Sequence, residues 1–162
     1  MIKRAVGILI LGLVVAFGCS RSPMHEQADS STPLTNSQPI NLAASIARAK
    51  AENKIVLLDF SGSDWCPPCI QMEKTILSKP EFQAYADSNL VFLSVNFPSK
   101  FHLPPDASAT NDLLSAQFAA EGVPILVALD GNGKEIWRHR GAFDGGPKEL
   151  AVELDAVKAK AK

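Results

Sequence analysis

Two cysteines separated by two prolines follow a short apolar segment in the middle of the chain. Ile55-Val56-Leu57-Leu58-Asp59-Phe60 predicts a buried β-strand, and Trp65-Cys66-Pro67-Pro68-Cys69 comes shortly after it. A helix is expected to begin at Cys66, since proline is tolerated in a first turn. A strand that leads into Cys-x-x-Cys at a helix start indicates a redox-active dithiol, because the amides and dipole of the helix stabilise a thiolate on the first sulfur.

The third cysteine, Cys19, belongs to an N-terminal feature. Lys3 and Arg4 precede an apolar run over residues 5–17, whose 13 residues fall short of the roughly 20 that a membrane-spanning helix needs. The run therefore predicts a signal peptide. Residues 16–19, Ala-Phe-Gly-Cys, resemble the lipobox of bacterial lipoproteins, which implies cleavage after residue 18 and a lipid on Cys19. An uncleaved anchor and ordinary secretion are the alternatives.

The rest of the chain divides into a tether and one domain. Residues 19–39 begin with the cysteine and continue in Ser, Thr, Pro, Asn and Gln, so they predict a disordered linker, and Ser20 slightly favours the outer membrane in lipoprotein sorting. Residues 40–162 have the size of a single domain. Loss of residues 1–18 leaves 14 basic and 17 acidic residues, a net charge of −3, which does not indicate a nucleic-acid partner.

The hydrophobic period within the domain switches repeatedly between helix and strand. Asp130-Gly131-Asn132-Gly133 is a hairpin turn signal between the last two strands. The predicted elements are helix 41–53, strand 55–60, helix 66–77, helix 81–87, strand 90–97, helix 111–121, strands 124–129 and 135–140, and helix 147–160.

This order resembles the thioredoxin fold over residues 41–160, with Cys-x-x-Cys after the first strand and Gly122-Val123-Pro124 before the hairpin. The resemblance implies an α/β domain with a central mixed four-stranded sheet, helices on both faces and a cis peptide at Val123-Pro124. Residues 69–75 and 78–82 resemble the C-terminal periplasmic domain of the transmembrane conduit that supplies electrons to bacterial disulfide enzymes.

Thiol–disulfide exchange predicts different roles for the two cysteines of the Cys-x-x-Cys motif. Cys66, expected to be exposed at the helix start, would attack a partner disulfide, and the less accessible Cys69 would resolve the mixed disulfide. Asp59 resembles the buried acid that takes a proton from the second cysteine in thioredoxins, although one extra residue separates it from the motif; an exposed strand-edge carboxylate is the alternative. Ser94 stands where thioredoxins commonly have a lysine, and Trp65 is expected on the rim of the site.

Pro67 and Pro68 bear on the direction of electron flow. Neither has an N–H, so the Cys66 sulfur keeps chiefly the amide of Cys69 as a donor, and Asp64 nearby disfavours a second negative charge. A less stabilised thiolate favours the disulfide, which favours a reductase. A thiol oxidase or disulfide isomerase is the first alternative, and a redox-inactive peptide-binding adaptor of the same fold is the second.

Other features complete the expectations. Cys-x-x-Cys also occurs in zinc sites, but His25, His102 and His139 have no ligand spacing, so neither a metal nor another cofactor is expected. The proline-rich loop 97–108 should lie at the sheet edge that carries the cysteines, where it either selects partners or is an inert insertion. The expected partners are periplasmic protein disulfides or dithiols, an upstream thiol donor and, through the lipid, a membrane.

Overall fold

The computed structural model of the protein describes residues 38–161. The first half contains α1 (Leu42–Ala51), β1 (Ile55–Ser61), α2 (Pro67–Met72), a π-helical turn (Glu73–Leu77), α3 (Pro80–Asn89) and β2 (Leu90–Asn96). The second half contains α4 (Pro105–Gln117), β3 (Ile125–Leu129), β4 (Glu135–Arg140) and α5 (Pro147–Lys160). The element order predicted from the hydrophobic pattern is confirmed, and Asn41 caps α1 by accepting a hydrogen bond from the Ala44 amide at 3.0 Å.

The four strands form one mixed sheet in the order β2-β1-β3-β4. β1 pairs parallel with β2 and antiparallel with β3, and β3 pairs antiparallel with β4 across the predicted hairpin. The central strand β1 is buried along its whole length. A parallel pair needs a crossover connection, and here α2, the π turn and α3 supply it.

Alternation along the strands separates two apolar layers. Val56, Leu58 and Phe60 face the layer that contains Leu114 of α4, and Ile55 and Leu57 face the layer that contains Leu150 of α5. Asp59 therefore points towards the second layer, the one covered by α2, the π turn, α3 and α5. Because alternate residues of β1 face opposite layers, Asp59 lies beneath the helix that carries the cysteines.

Two boundaries differ from the prediction. The helix expected over 111–121 begins at Pro105, because proline occupies its first turn, where its missing N–H costs nothing. The loop expected over 97–108 is correspondingly shorter. The helix expected over 66–77 changes to π geometry at residue 73, with the Ser78 amide bonded to the Glu73 carbonyl at 2.9 Å.

Two kinds of feature, a membrane-spanning helix and a cluster of metal-ligating side chains, are absent from residues 38–161. Within that range no helix has the length and apolar character needed to cross a bilayer. The same range contains no group of three or more His, Cys, Asp or Glu side chains arranged to hold a metal ion.

Candidate active site

The two cysteines of the motif are joined at the N-terminus of α2. Cys66 and Cys69 form a disulfide with Cα atoms 5.3 Å apart. Cys66 is the N-cap residue, and its sulfur accepts a hydrogen bond from the Cys69 amide at 3.2 Å. Pro67 and Pro68 occupy the first two helical positions. Since neither proline has an N–H, the amide of Cys69 is the first-turn donor that reaches the sulfur, as the sequence predicts.

The expected exposure of Cys66 is wrong for this oxidised state. Cys66 is 3% exposed and Cys69 is 1% exposed. The Cys66 sulfur lies 3.9 Å from the carbonyl oxygen of Val123, which is 57 residues away in the chain. The turn at Val123 therefore contributes to the burial of Cys66, and sequence separation of this size hides such a contact from local patterns.

The turn that contacts the Cys66 sulfur contains Gly122-Val123-Pro124, the motif on which the resemblance to the thioredoxin fold depends. The peptide bond between Val123 and Pro124 is cis, as expected, and Gly122 has a φ of 89°, a left-handed conformation that favours glycine. Pro124 is buried, and its carbonyl accepts the Gly141 amide at 2.9 Å. This turn sits beside Cys66 at the start of β3.

Asp59 is buried, so the alternative of an exposed strand-edge carboxylate is wrong. Its residue is 4% exposed, and its Oδ1 has no hydrogen-bond partner among the described residues. Burial, together with the negative charge of Glu73, raises the pKa of Asp59 from 3.8 to about 7. Ser94 lies opposite Asp59 in the parallel register. A carboxyl group with this pKa can gain or lose a proton near neutral pH.

Glu73 is a site residue that the sequence analysis did not identify. It is half-buried, and burial raises its pKa above the usual range. It follows Cys69 by four positions, and its amide bonds to the Cys69 carbonyl. The signal that could have found it is this spacing, because side chains four apart on a helix share a face.

One cleft connects these groups. It has a volume of about 520 Å³ and opens on the β2 side of α2. Asp59, Cys69 and Glu73 line it together with the apolar side chains of Ile70 and Phe101. The second cysteine and the buried acid therefore share one solvent-connected space, while the first cysteine faces the Val123 turn.

Hydrogen bonds fasten the loop after β2 to the active-site turn. Asp64 accepts the amides of Ser99, at 2.9 and 3.1 Å, and Lys100, at 2.6 Å. Although desolvation opposes it, these hydrogen bonds lower the pKa of Asp64. The Asp64 charge is thus engaged by the loop. The expected position of the loop, at the same sheet edge as the cysteines, is confirmed.

Trp65, expected on the rim of the site, directly precedes Cys66 and lies at the surface. It is 51% exposed, and its indole Nε1 donates to the Phe97 carbonyl at 2.6 Å. Its ring lies against Gly62, where a Cβ would come within 2.5 Å of the ring. Glycine is therefore required at residue 62 for the ring to hold this position. Cys19, the predicted lipidation site, lies outside the described residues.

Comparisons with known proteins agree with this geometry. The thioredoxin-like domain family matches residues 42–158. The disulfide bond reductase DsbH of Chlamydia pneumoniae is 33% identical over 155 residues, covering 94% of this chain and 93% of that protein. The thiol:disulfide interchange protein DsbD 2 of Pseudomonas aeruginosa (strain ATCC 15692 and its synonyms) is 35% identical over 116 residues, which are 70% of this chain and 18% of that protein.

Solved structures give the same result. A structure titled DsbH oxidoreductase superposes with a TM-score of 0.68 at 33% identity, covering 75% of this chain and 84% of that one. A thioredoxin from Thermus thermophilus, at 24% identity and a TM-score of 0.52 over 73% and 84% of the two chains, shares the fold. With the fold, the joined cysteines and these relatives in agreement, the chain belongs to the thioredoxin-like family and is a thiol-disulfide oxidoreductase.

Proposed function

We propose that the protein reduces disulfides in other extracytoplasmic proteins. The observation that carries this proposal is the N-cap of α2, where Pro67 and Pro68 leave the Cys66 sulfur with the amide of Cys69 as its donor from the first turn. A thiolate with few donors is less stabilised, so the disulfide form is favoured and the dithiol gives up its electrons readily. The relative DsbH carries the name of a disulfide bond reductase, which supports the same direction.

The reaction exchanges one disulfide for another. The Cys66 thiolate attacks a sulfur of the partner disulfide, which forms a mixed disulfide and releases one partner thiolate that takes up a proton. Cys69 then loses its proton and attacks Cys66, which forms the Cys66–Cys69 bond and releases the second partner sulfur as a thiol. Two electrons pass to the partner. An extracytoplasmic thiol donor must reduce the Cys66–Cys69 bond before the next turnover.

Asp59 is the proposed acceptor of the Cys69 proton. It shares the cleft with Cys69, and its pKa of about 7 matches proton transfer at neutral pH. In the same proposal, an extended segment of the partner pairs with the backbone at Val123 by strand addition beside Cys66. The buried Pro124 holds that turn in place, and the exposed Trp65 borders the docking surface.

The redox potential of the Cys66–Cys69 pair should lie nearer to the thioredoxin value of about −270 mV than to the strongly oxidising end near −120 mV. The scarcity of donors to Cys66 is the physical reason. Equilibration with glutathione buffers, followed by quantification of the oxidised fraction, measures the potential. A value above roughly −180 mV, in the range of isomerases, would favour the oxidase or isomerase alternative over the reductase.

The second part of the proposal is an anchor. Residues 1–18 act as a signal peptide, Cys19 carries lipid, and residues 20–39 link the lipid to the domain of residues 40–162 on the periplasmic side of a bacterial membrane. The outer membrane is slightly favoured by Ser20. The support is the short apolar run, which ends at Gly18-Cys19.

Cys19→Ser should release or misprocess the protein without changing its reductase activity, because Cys19 precedes the domain that carries the dithiol. The lipoprotein resemblance implies several acyl chains, which anchor more firmly than the single chain that gives only marginal binding. Fractionation of bacterial cells and sequencing of the mature N-terminus provide the measurement. Wild-type protein found in the soluble periplasmic fraction, or an N-terminus downstream of residue 19, would contradict the anchor.

A further inference from the structure

The cleft beside Cys69 combines an apolar mouth with acidic groups inside. Ile70 and Phe101 line it while each remains 44% exposed, so both reach the surface. Asp59 and Glu73 line it as well, and Asp59 is buried. Its volume of about 520 Å³ falls in the range of pockets that bind small ligands or whole side chains.

The acids inside the cleft form no ion pair with a cation of residues 38–161. Asp59 Oδ1 lacks a hydrogen-bond partner in the described part of the chain. The ion pairs found over residues 38–161 join other residues and leave Glu73 without one. Lys74 also lines the cleft, but its side chain is exposed and pairs with neither acid. A buried carboxyl oxygen without a donor favours a ligand that brings one.

These features select one class of occupant. An anion would meet two carboxyl groups, and a wholly apolar side chain would leave the Asp59 oxygen unsatisfied. A side chain with an apolar stem and a cationic head matches both parts, because its methylene groups would pack between Ile70 and Phe101 while its head reaches the acids.

We infer that the cleft binds a lysine or arginine side chain of the partner protein, close to the partner's disulfide. This inference rests on the proposed function, since the partner must be a protein disulfide. The cleft lies on the β2 side of the dithiol and the Val123 turn lies on the β3 side. A partner bound at both the cleft and the Val123 turn would be held on either side of the reacting sulfurs. The cleft would add a preference for basic partner sequences.

Matched peptides test this inference. Each disulfide-bonded peptide carries one variable residue, which is lysine, norleucine or glutamate. Separate peptides place this residue at each position on either side of the disulfide. The full-length protein in detergent reduces them with dithiothreitol as the electron source. We expect the lysine peptide to exceed the norleucine peptide in kcat/KM by about tenfold at one position or more, mainly through a lower KM. Norleucine keeps the apolar stem, so the comparison isolates the charge.

Variants of cleft residues test whether the preference for the lysine peptide arises in the cleft. Glu73→Gln should bring the lysine-to-norleucine ratio close to one, whereas Asp87→Asn, an exposed acid near the C-terminus of α3, should keep it. Lys74→Met, a change at an exposed position of the cleft lining, should raise the ratio because it removes a positive charge that repels the incoming cation. Equal kcat/KM for lysine and norleucine at every position would overturn the inference, as would a ratio that survives Glu73→Gln or falls in Lys74→Met. Failure to reduce any of the peptides would instead contradict the proposed reductase function.

Discussion

Cys69→Ala is expected to stop the enzyme at a mixed disulfide through Cys66, and Cys66→Ser to lower turnover by several orders of magnitude. Cys66 is the N-cap of α2, where the Cys69 amide and the helix dipole stabilise its thiolate. Cys69 is the third residue of α2, is buried like Cys66, and lines the cleft that it shares with the proposed proton acceptor Asp59. The first sulfur is therefore suited to attack and the second to resolve. Covalent adducts on non-reducing gels, identified by mass spectrometry, provide the measurement.

Cys19→Ser is the matched control, since it removes a cysteine that lies outside the motif. It should neither trap a partner nor slow turnover. In the reduced wild-type protein, limiting alkylation should label Cys66 first, because the reagent reacts with the thiolate. Preferential labelling of Cys69, which the cleft makes reachable to a small reagent, would reverse the two roles. Adducts through Cys69 in the Cys66→Ser variant would do the same.

The parts of the site that follow from local sequence were predictable. A strand followed by Cys-x-x-Cys places the sulfurs at the sheet edge, and alternation along Ile55–Ser61 determines that Asp59 faces the same layer as Leu57. Proline in the first turn of α2 determines which amide reaches Cys66. The Val123-Pro124 turn came from resemblance to a family. Each of these inferences needs only neighbouring residues or one known motif.

The parts that depend on distant segments were not predictable. The burial of Cys66 involves the Val123 carbonyl, and the anchoring of the loop depends on Asp64 meeting amides 35 and 36 residues away. The start of α4 was misplaced because Pro104-Pro105 is typical of loops as well as of helix N-termini. The sequence indicates only that Glu73 follows Cys69 by four positions. This spacing identifies Glu73 as a site residue only once α2 is known to cover Asp59.

The buried acid should make stability depend on pH in a recognisable way. The pKa of Asp59 is 3.8 when exposed and about 7 in the folded protein, so between those values the folded state holds a proton that the unfolded state has lost. The free energy of unfolding should therefore fall as pH rises through this window and level off above pH 7. At roughly 1.4 kcal/mol for each pH unit, the loss is about 4 kcal/mol.

Asp59→Asn should remove this dependence and slow the resolution of the mixed disulfide. Asparagine cannot ionise, so the variant should match the wild-type stability near pH 4 and exceed it by about 4 kcal/mol at pH 8. Without a proton acceptor beside Cys69, the second exchange step should slow by about 10²-fold and lose its inflection near pH 7. Urea unfolding at both pH values and stopped-flow kinetics of mixed-disulfide resolution measure the two effects.

The effect of Asp59→Asn on stability reports the burial of Asp59, and its effect on the rate reports proton transfer. Asp87→Asn, an exposed acid on α3, is the control and should change neither the stability curve nor the rate. If Asp59→Asn changes stability as expected but leaves the rate profile intact, Asp59 is a buried acid that takes no part in proton transfer. If the variant is the less stable protein at pH 8, Asp59 is ionised and stabilised in the folded state, and its assignment as the neutral-pH proton acceptor fails. Loss of the rate inflection together with higher stability at pH 8 is the pair of results that the proposed role of Asp59 predicts.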